Sequence, residues 1–214
     1  MKRLLLSTIL LFGAITFSKA QVQITAYTGY QFGSSVNTYG YHTQGRFKIK
    51  GSQDFGGMIS LELRPSTHAE FSYTYMGTYA TIERGGFPSS NLGDVDVHYY
   101  QIGGVQETTV GENVDLFGTI SLGGTTFAPK DNSYVDSDGQ RYLLDNKTYF
   151  SVGIGGGVKL WLSDFIGVRL QARMLMPVTW GGFYFGTGGS GASVGSAMIS
   201  GDVGGGLIFK LGGM

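Results

Sequence analysis

Apolar and polar residues alternate with a period of two along most of this chain, the spacing of extended strands whose successive side chains fall on opposite faces. The clearest stretch is 148–160. Phe150, Val152, Ile154, Val158 and Leu160 share one face there, and Ser151, Gly153, Gly155, Gly157 and Lys159 share the other. In 166–176, Val168, Leu170, Ala172, Met174 and Met176 oppose Arg169, Gln171 and Arg173. In 55–64, Ile59, Leu61 and Leu63 oppose Ser60, Glu62 and Arg64. In 68–79, Phe71, Tyr73, Tyr75 and Tyr79 oppose Glu70, Ser72, Thr74 and Thr78. Segments 22–32, 114–127 and 197–211 alternate too, and Gly, Asn, Asp, Ser or Pro bounds each one. The chain reads as all-β.

Alternation alone suits a soluble sandwich as well as a membrane barrel. The second face separates them. It carries Glu62, Arg64, Glu70, Lys159, Arg169, Arg173, Asp202 and Lys210 among many Gly, Ser, Thr and Gln. Only 14% of the chain is charged, against about 25% for a typical soluble domain. Too few charges are left to solvate an ordinary surface. An inverted barrel fits, with the apolar faces toward lipid and the polar faces packing a narrow lumen. Inside it, Glu62, Arg64, Glu70, Lys159, Arg169, Arg173 and Lys210 are expected to form a cross-strand charge network, since an unpaired buried charge is costly.

Connection lengths alternate in the same sense. Tight links at 64–67, 110–113 and 162–165 separate long polar segments at 33–54, 80–94, 128–147 and 178–196. Short turns on one side and long loops on the other predict an antiparallel up-and-down barrel of about eight strands with its loops outside the cell. Tyr27, Tyr30, Tyr73, Tyr75, Tyr79, Tyr99, Tyr100, Trp161 and Trp180 fall near strand ends, where aromatic girdles form. The stretch 95–106 breaks parity: Val95, Val97 and Tyr99 suit one face, yet lower down Ile102 suits lipid and Gln101 the lumen, and the two sets have opposite parity. Either a bulge near Tyr99 or Tyr100 reverses the faces, or the upper strand rises above the membrane.

The N-terminus has the form of an export signal. Met1-Lys2-Arg3 is followed by an apolar run to Phe17, too short to span a bilayer, and then by Ser18-Lys19-Ala20. Cleavage between Ala20 and Gln21 is expected. It would leave 12 basic residues against 15 acidic ones. That balance argues against nucleic acid as a partner. There is no cysteine, hence no disulfide, thiolate nucleophile or lipid-anchored mature N-terminus.

Candidate chemistry is sparse. Asp94, Asp96 and His98 fall on one face of a strand and carry donors suited to a divalent metal, but solvated residues at a strand start would look the same. Asp136, Asp138 and Gly139, with Asp145 later, echo part of a calcium loop, but Tyr134 replaces its first ligand, so a turn is the better reading. His42, His68 and His98 are the three histidines available to any Ser–His hydrolase, and no nucleophile elbow accompanies them. The glycines at 153–157 and 204–206 are followed by no helix and are read as lumen packing rather than phosphate loops. No cofactor is implied.

Three stretches carry a resemblance: Tyr99-Tyr100-Gln101-Ile102-Gly103-Gly104, LFGTISLGGTTFAP at 116–129, and GVRLQARMLMPVTWGGFYFGTGGSG at 167–191. With them the chain resembles the small outer-membrane β-barrel proteins common in Bacteroidota, similar in architecture to OmpX and the transmembrane part of OmpA. The resemblance implies residence in the outer membrane among its lipids and lipopolysaccharide, delivery by the Sec export and barrel-assembly machineries, and no shared catalytic signature. Many such barrels end on an aromatic residue that the assembly machinery reads. This chain ends Phe209-Lys210-Leu211-Gly212-Gly213-Met214, so Phe209 and Leu211 stand as its substitutes. The expected role is structural or surface-interacting through the loops. A narrow solute channel, a barrel-type lipid-modifying enzyme and a soluble periplasmic lipid-binding barrel are the alternatives.

Overall fold

The computed structural model describes residues 21–39, 44–84, 90–131, 133–135, 141–143, 146–186 and 189–212. The export segment through Ala20, His42, the 136–139 turn and Asp145 lie outside the described residues. Thirteen strands are described: β1 (Val22–Gln31), β2 (Ser34–Tyr39), β3 (Gln44–Ile49), β4 (Ser52–Arg64), β5 (Thr67–Arg84), β6 (Ser90–Gly111), β7 (Val114–Pro129), β8 (Ser133–Val135), β9 (Arg141–Leu143), β10 (Lys147–Trp161), β11 (Ile166–Gly186), β12 (Gly189–Ala197) and β13 (Ser200–Leu211).

Eight of them close a ring. β1 pairs with β4, then β5, β6, β7, β10, β11 and β13 follow in turn, and β13 returns to β1, every pairing antiparallel. Closure leaves this part of the sheet without an edge, which is what a bilayer demands of strands. One end of the barrel is turned by the tight links β4–β5, β6–β7 and β10–β11. In the first, Pro65 presets its own φ and Ser66 takes the left-handed φ of 66° that reverses the chain.

The long segments at the other end are not simple loops. β2 and β3 form a hairpin within 33–54, and β3 pairs with the far end of β5. β12 lies on the far end of β11, and β8 and β9 make a separate two-stranded ribbon. Strand structure therefore continues well beyond the ring.

Which face is covered settles the class. Ile102 is 65% exposed and Ile120 61%, while Lys159 and Arg169 are 0% exposed. Ile24, Phe55, Ile59, Phe71, Leu122, Ile154, Leu170, Met174 and Leu207 join the exposed apolar wall. A soluble fold cannot leave such a continuous belt in water. The molecule is a closed eight-stranded antiparallel β-barrel of the membrane-spanning kind, apolar outside and polar within.

The parity break in β6 resolves without a bulge at Tyr99 or Tyr100. Register with both neighbours runs unbroken from Val95 to Gln106. Val95, Val97, Tyr99, Gln101, Val105 and Glu107 are all buried inside, and Tyr100 and Ile102 face out. The irregularity lies higher, between Ala80 and Thr81 of β5, where Gly93 adopts a φ of 109°. A bulge needs a residue that tolerates such a backbone, and glycine supplies it.

Candidate functional site in the barrel lumen

Inward-facing side chains fill the barrel in layers. Nearest the tight turns, Lys159 of β10 bonds to Glu107 of β6 and donates to Gln23 Oε1 of β1 at 2.5 Å. His68 lies between Gln23 and Glu107, at 3.2 and 3.3 Å. In the next layer the Arg169 guanidinium grips Glu70 with two bonds, Nη1 to Oε2 at 2.5 Å and Nη2 to Oε1 at 3.1 Å. Its Nε donates to Gln171 Oε1 at 2.9 Å, and Ser60 Oγ donates to Glu70 Oε2 at 2.8 Å. Arg169 Cζ stands 4.4 Å from the Phe117 ring centroid, a cation–π contact on a dry surface. The fork-to-carboxylate geometry is the strongest form a buried ion pair takes.

Above it, Arg173 donates from Nε and Nη2 to Asp202 Oδ2, and Tyr27 donates to Asp202 Oδ1 at 2.6 Å. Asp54 lies 4.0 Å from the same guanidinium. Gln31 then donates to Tyr99 Oη at 2.5 Å and to Ser200 Oγ at 2.9 Å. The far end is capped by an apolar cluster of Ile49, Met76, Ala80, Val95, Val97, Tyr99, Leu175 and Met198, with Phe127 packed against it. On the opposite wall Gly103, Gly153 and Ser121 leave a void beside Glu70, Gln101 and Arg173 with room for about one water. Among the described residues, ion pairs fill the lower lumen and an apolar cluster closes over them.

The expected charge set divides. Glu70, Lys159, Arg169 and Arg173 lie within the layers described above. Glu62 and Lys210 keep the inward parity but are part-exposed at the turn end, where Lys210 Nζ stands 4.1 Å from the Trp161 ring. Trp161 in turn donates to Asp115 Oδ2 at 2.6 Å. Arg64 does not join the network. It closes β4 beside the tight turn and is exposed, because the wall opposite it has ended.

Asp94, Asp96 and His98 do share a face, the outer one. Asp96 accepts from Tyr75 Oη at 2.9 Å and pairs with Lys130 at 3.5 Å, and His98 Nδ1 is 2.9 Å from Tyr73 Oη. The Asp96 charge, with its hydrogen bond, holds the Lys130 ammonium above the usual lysine range. Tyr73, Tyr75, His98 and Tyr100 cluster as an aromatic ladder at the upper border of the apolar wall. Among the described residues, no three His, Asp or Glu side chains are grouped to hold a metal.

Asp54, Glu107, His68, Gln23, Tyr27 and Tyr99 are lumen residues that sequence reasoning left out. Asp54 fell inside a segment read as loop, and Glu107 one residue past the stretch of doubtful parity. Tyr27 and Tyr99 read as girdle aromatics by sequence but lie inside, at 4% and 3% exposure. Continuing the parity of Gln101 in both directions along β6 would have found Tyr99 and Glu107.

No protein-family model matches the chain, and no characterised protein matches it by sequence. Solved structures do match in fold. The outer membrane protein OprG from Pseudomonas aeruginosa is 10% identical, with a TM-score of 0.65 over 91% of this chain and 97% of that one. The outer membrane protein AlkL, solved in lipid bilayers, is 9% identical, with a TM-score of 0.56 over 91% of each chain. Neisserial surface protein A is 14% identical, with a TM-score of 0.51 over 90% of this chain and 97% of that one. The fold is that of the outer-membrane β-barrels.

Proposed function

We propose that this protein resides in the outer membrane as a non-catalytic, non-conducting barrel that carries surface-exposed strands and loops for envelope integrity or surface interaction. The observation that carries this reading is the filled lumen: three layers of ion pairs beneath an apolar cap. Eight strands enclose an interior just wide enough for side chains to occupy. Beyond the ring lie the strands β2, β3, β8, β9 and β12 at the end opposite the tight turns. Outer-membrane lipid and lipopolysaccharide contact the apolar wall in this reading, and the Sec and barrel-assembly machineries deliver the chain after cleavage between Ala20 and Gln21. A Bacteroidota origin rests on the sequence stretches at 99–104, 116–129 and 167–191 alone.

Cell fractionation with heat-modifiable gel migration, followed by planar-bilayer recording of the purified protein, tests the proposal. The expected result is an outer-membrane protein whose unboiled form migrates anomalously and gives no steady conductance. Stable single-channel steps would overturn the sealed lumen in favour of a narrow channel. Turnover of lipid A or phospholipid by the purified barrel would overturn the non-catalytic reading.

A further inference from the structure

Outward residues of β6, β7 and β10 fall into levels set by strand register. Ile102, Leu122 and Val152 share one level. Tyr100, Gly124 and Phe150 share the next, toward the end opposite the tight turns, and His98, Thr126 and Thr148 the one after. Ascending the outer wall, the surface passes from aliphatic to aromatic to hydrogen-bonding within three levels.

Gly124 leaves a gap in the aromatic level. A Cβ built there meets Thr148 Cγ2 at 3.5 Å and the Tyr149 carbonyl oxygen at 3.8 Å, and no atom of Tyr100 or Phe150 lies within 4 Å of it. Yet these two exposed side chains flank Gly124 on the adjoining strands. The backbones of β6 and β10 stand roughly 9–10 Å apart across β7, two strand spacings, which leaves width for one more ring. Tyr100 is braced from the far side by Tyr73, with ring centroids 5.2 Å apart. At the other side of the barrel the border aromatics are covered: Tyr30 packs edge to face with Phe32 at 5.6 Å, and Lys50 Nζ lies 5.9 Å from the Tyr79 ring.

Directly above the gap, Thr126 Oγ1 and Thr148 Oγ1 are 2.8 Å apart and use one of their two protons on each other. The other proton and the lone pairs remain for a ligand. A sugar ring matches this order of groups. Its C–H face is drawn to the negative face of an aromatic ring, and its hydroxyls reach the threonines. A plain acyl chain would leave the hydroxyl pair unused, and a free sugar would leave the aliphatic level uncovered. A glycolipid engages all three.

We propose, on the outer-membrane reading with this end outward, that the slot over Gly124, between Tyr100 and Phe150 and beneath the Thr126–Thr148 pair, binds the sugar headgroup of an outer-leaflet glycolipid. Its acyl chains lie along Ile102, Leu122 and Val152.

Native mass spectrometry of the full barrel tests this after incubation with lipid A or with phosphatidylglycerol, an anionic lipid without a sugar ring. The wild-type barrel is expected to retain lipid A several-fold better than phosphatidylglycerol. Gly124→Leu fills the slot and leaves the rings and hydroxyls in place, and it should erase that preference. Tyr100→Ala should weaken it, and Tyr30→Ala, which alters a border aromatic outside the slot, should leave it intact. Should a variant fail to assemble, amide NMR of the wild-type barrel in phosphatidylcholine nanodiscs reads the same site. Lipid A is expected to shift Gly124, Thr126 and His98 and to spare Tyr30. Equal retention of the two lipids, a preference that survives Gly124→Leu, or shifts spread evenly around the barrel would overturn the slot. None of these outcomes touches the outer-membrane reading, which cell fractionation tests separately.

Discussion

A guanidinium can be buried only where its charge is paired, and Arg169 meets that condition at 0% exposure. Its Nη1 and Nη2 hold Glu70, its Nε holds Gln171, and the Phe117 ring covers one face. Removing one partner of such a pair strands the other charge, at a cost of about 3–5 kcal/mol. Arg169→Ala is expected to lower barrel stability by that order in urea unfolding. Lys130→Ala, which breaks the exposed pair with Asp96, should leave the midpoint unchanged. Arg169→Met combined with Glu70→Gln should recover most of the loss, because no uncompensated charge remains. Equal midpoints for Arg169→Ala and Lys130→Ala would mean that the charges do not stabilise the barrel.

At the scale of an element, β6 shows how a strand obeys one parity in two surroundings. Its lower inward positions mix Gln101 and Glu107 with Val105, and its upper ones are Val95, Val97 and Tyr99 in the apolar cap. Its outer face runs the opposite way, from Ile102 and Tyr100 in the apolar wall up to His98, Asp96 and Asp94. The outer face changes from apolar to polar near residue 100, and the apolar cap begins there inside, while the backbone parity holds throughout. The native chain has no cysteine, so single-cysteine variants report cleanly. A cysteine at His98 is expected to react with a water-soluble maleimide on the intact barrel, and one at Val97 to be protected. At Ile102 a lipid-phase reagent should label, and at Gln101 it should not. Reaction at Val97 with protection at His98 would restore the bulge at Tyr99 or Tyr100.

For the whole molecule, the decisive asymmetry lies between the two ends of the barrel. Three tight turns close one end, and the pairings of β3 with β5 and of β11 with β12 carry strand structure beyond the ring at the other. In outer-membrane barrels the short turns face the periplasm and the longer connections face out. An epitope inserted after Gly139, between β8 and β9, is expected to be accessible to antibody on intact cells. The same epitope in the Arg64–Thr67 turn should be accessible only after permeabilisation. The reverse labelling would invert the barrel.

The alternating connection lengths gave the count of eight, and the strands β2, β3, β8, β9 and β12 lay in segments that read as loops. Period-two alternation determined strands of the ring and which face meets lipid, because side-chain direction in a strand depends only on residue parity. Glu70, Lys159, Arg169 and Arg173 were legible as inward for that reason. Parity says nothing about height along the barrel axis or about which strand lies across the lumen. Glu70 and Arg169 are 99 residues apart and meet only because the ring closes with a particular stagger. The same stagger carries Arg64 past the end of its wall and brings Asp54, from a segment that reads as loop, beside Arg173. Local spacing determined the alternation; closure decided the partners, because contacts across a barrel depend on the register of all eight strands together.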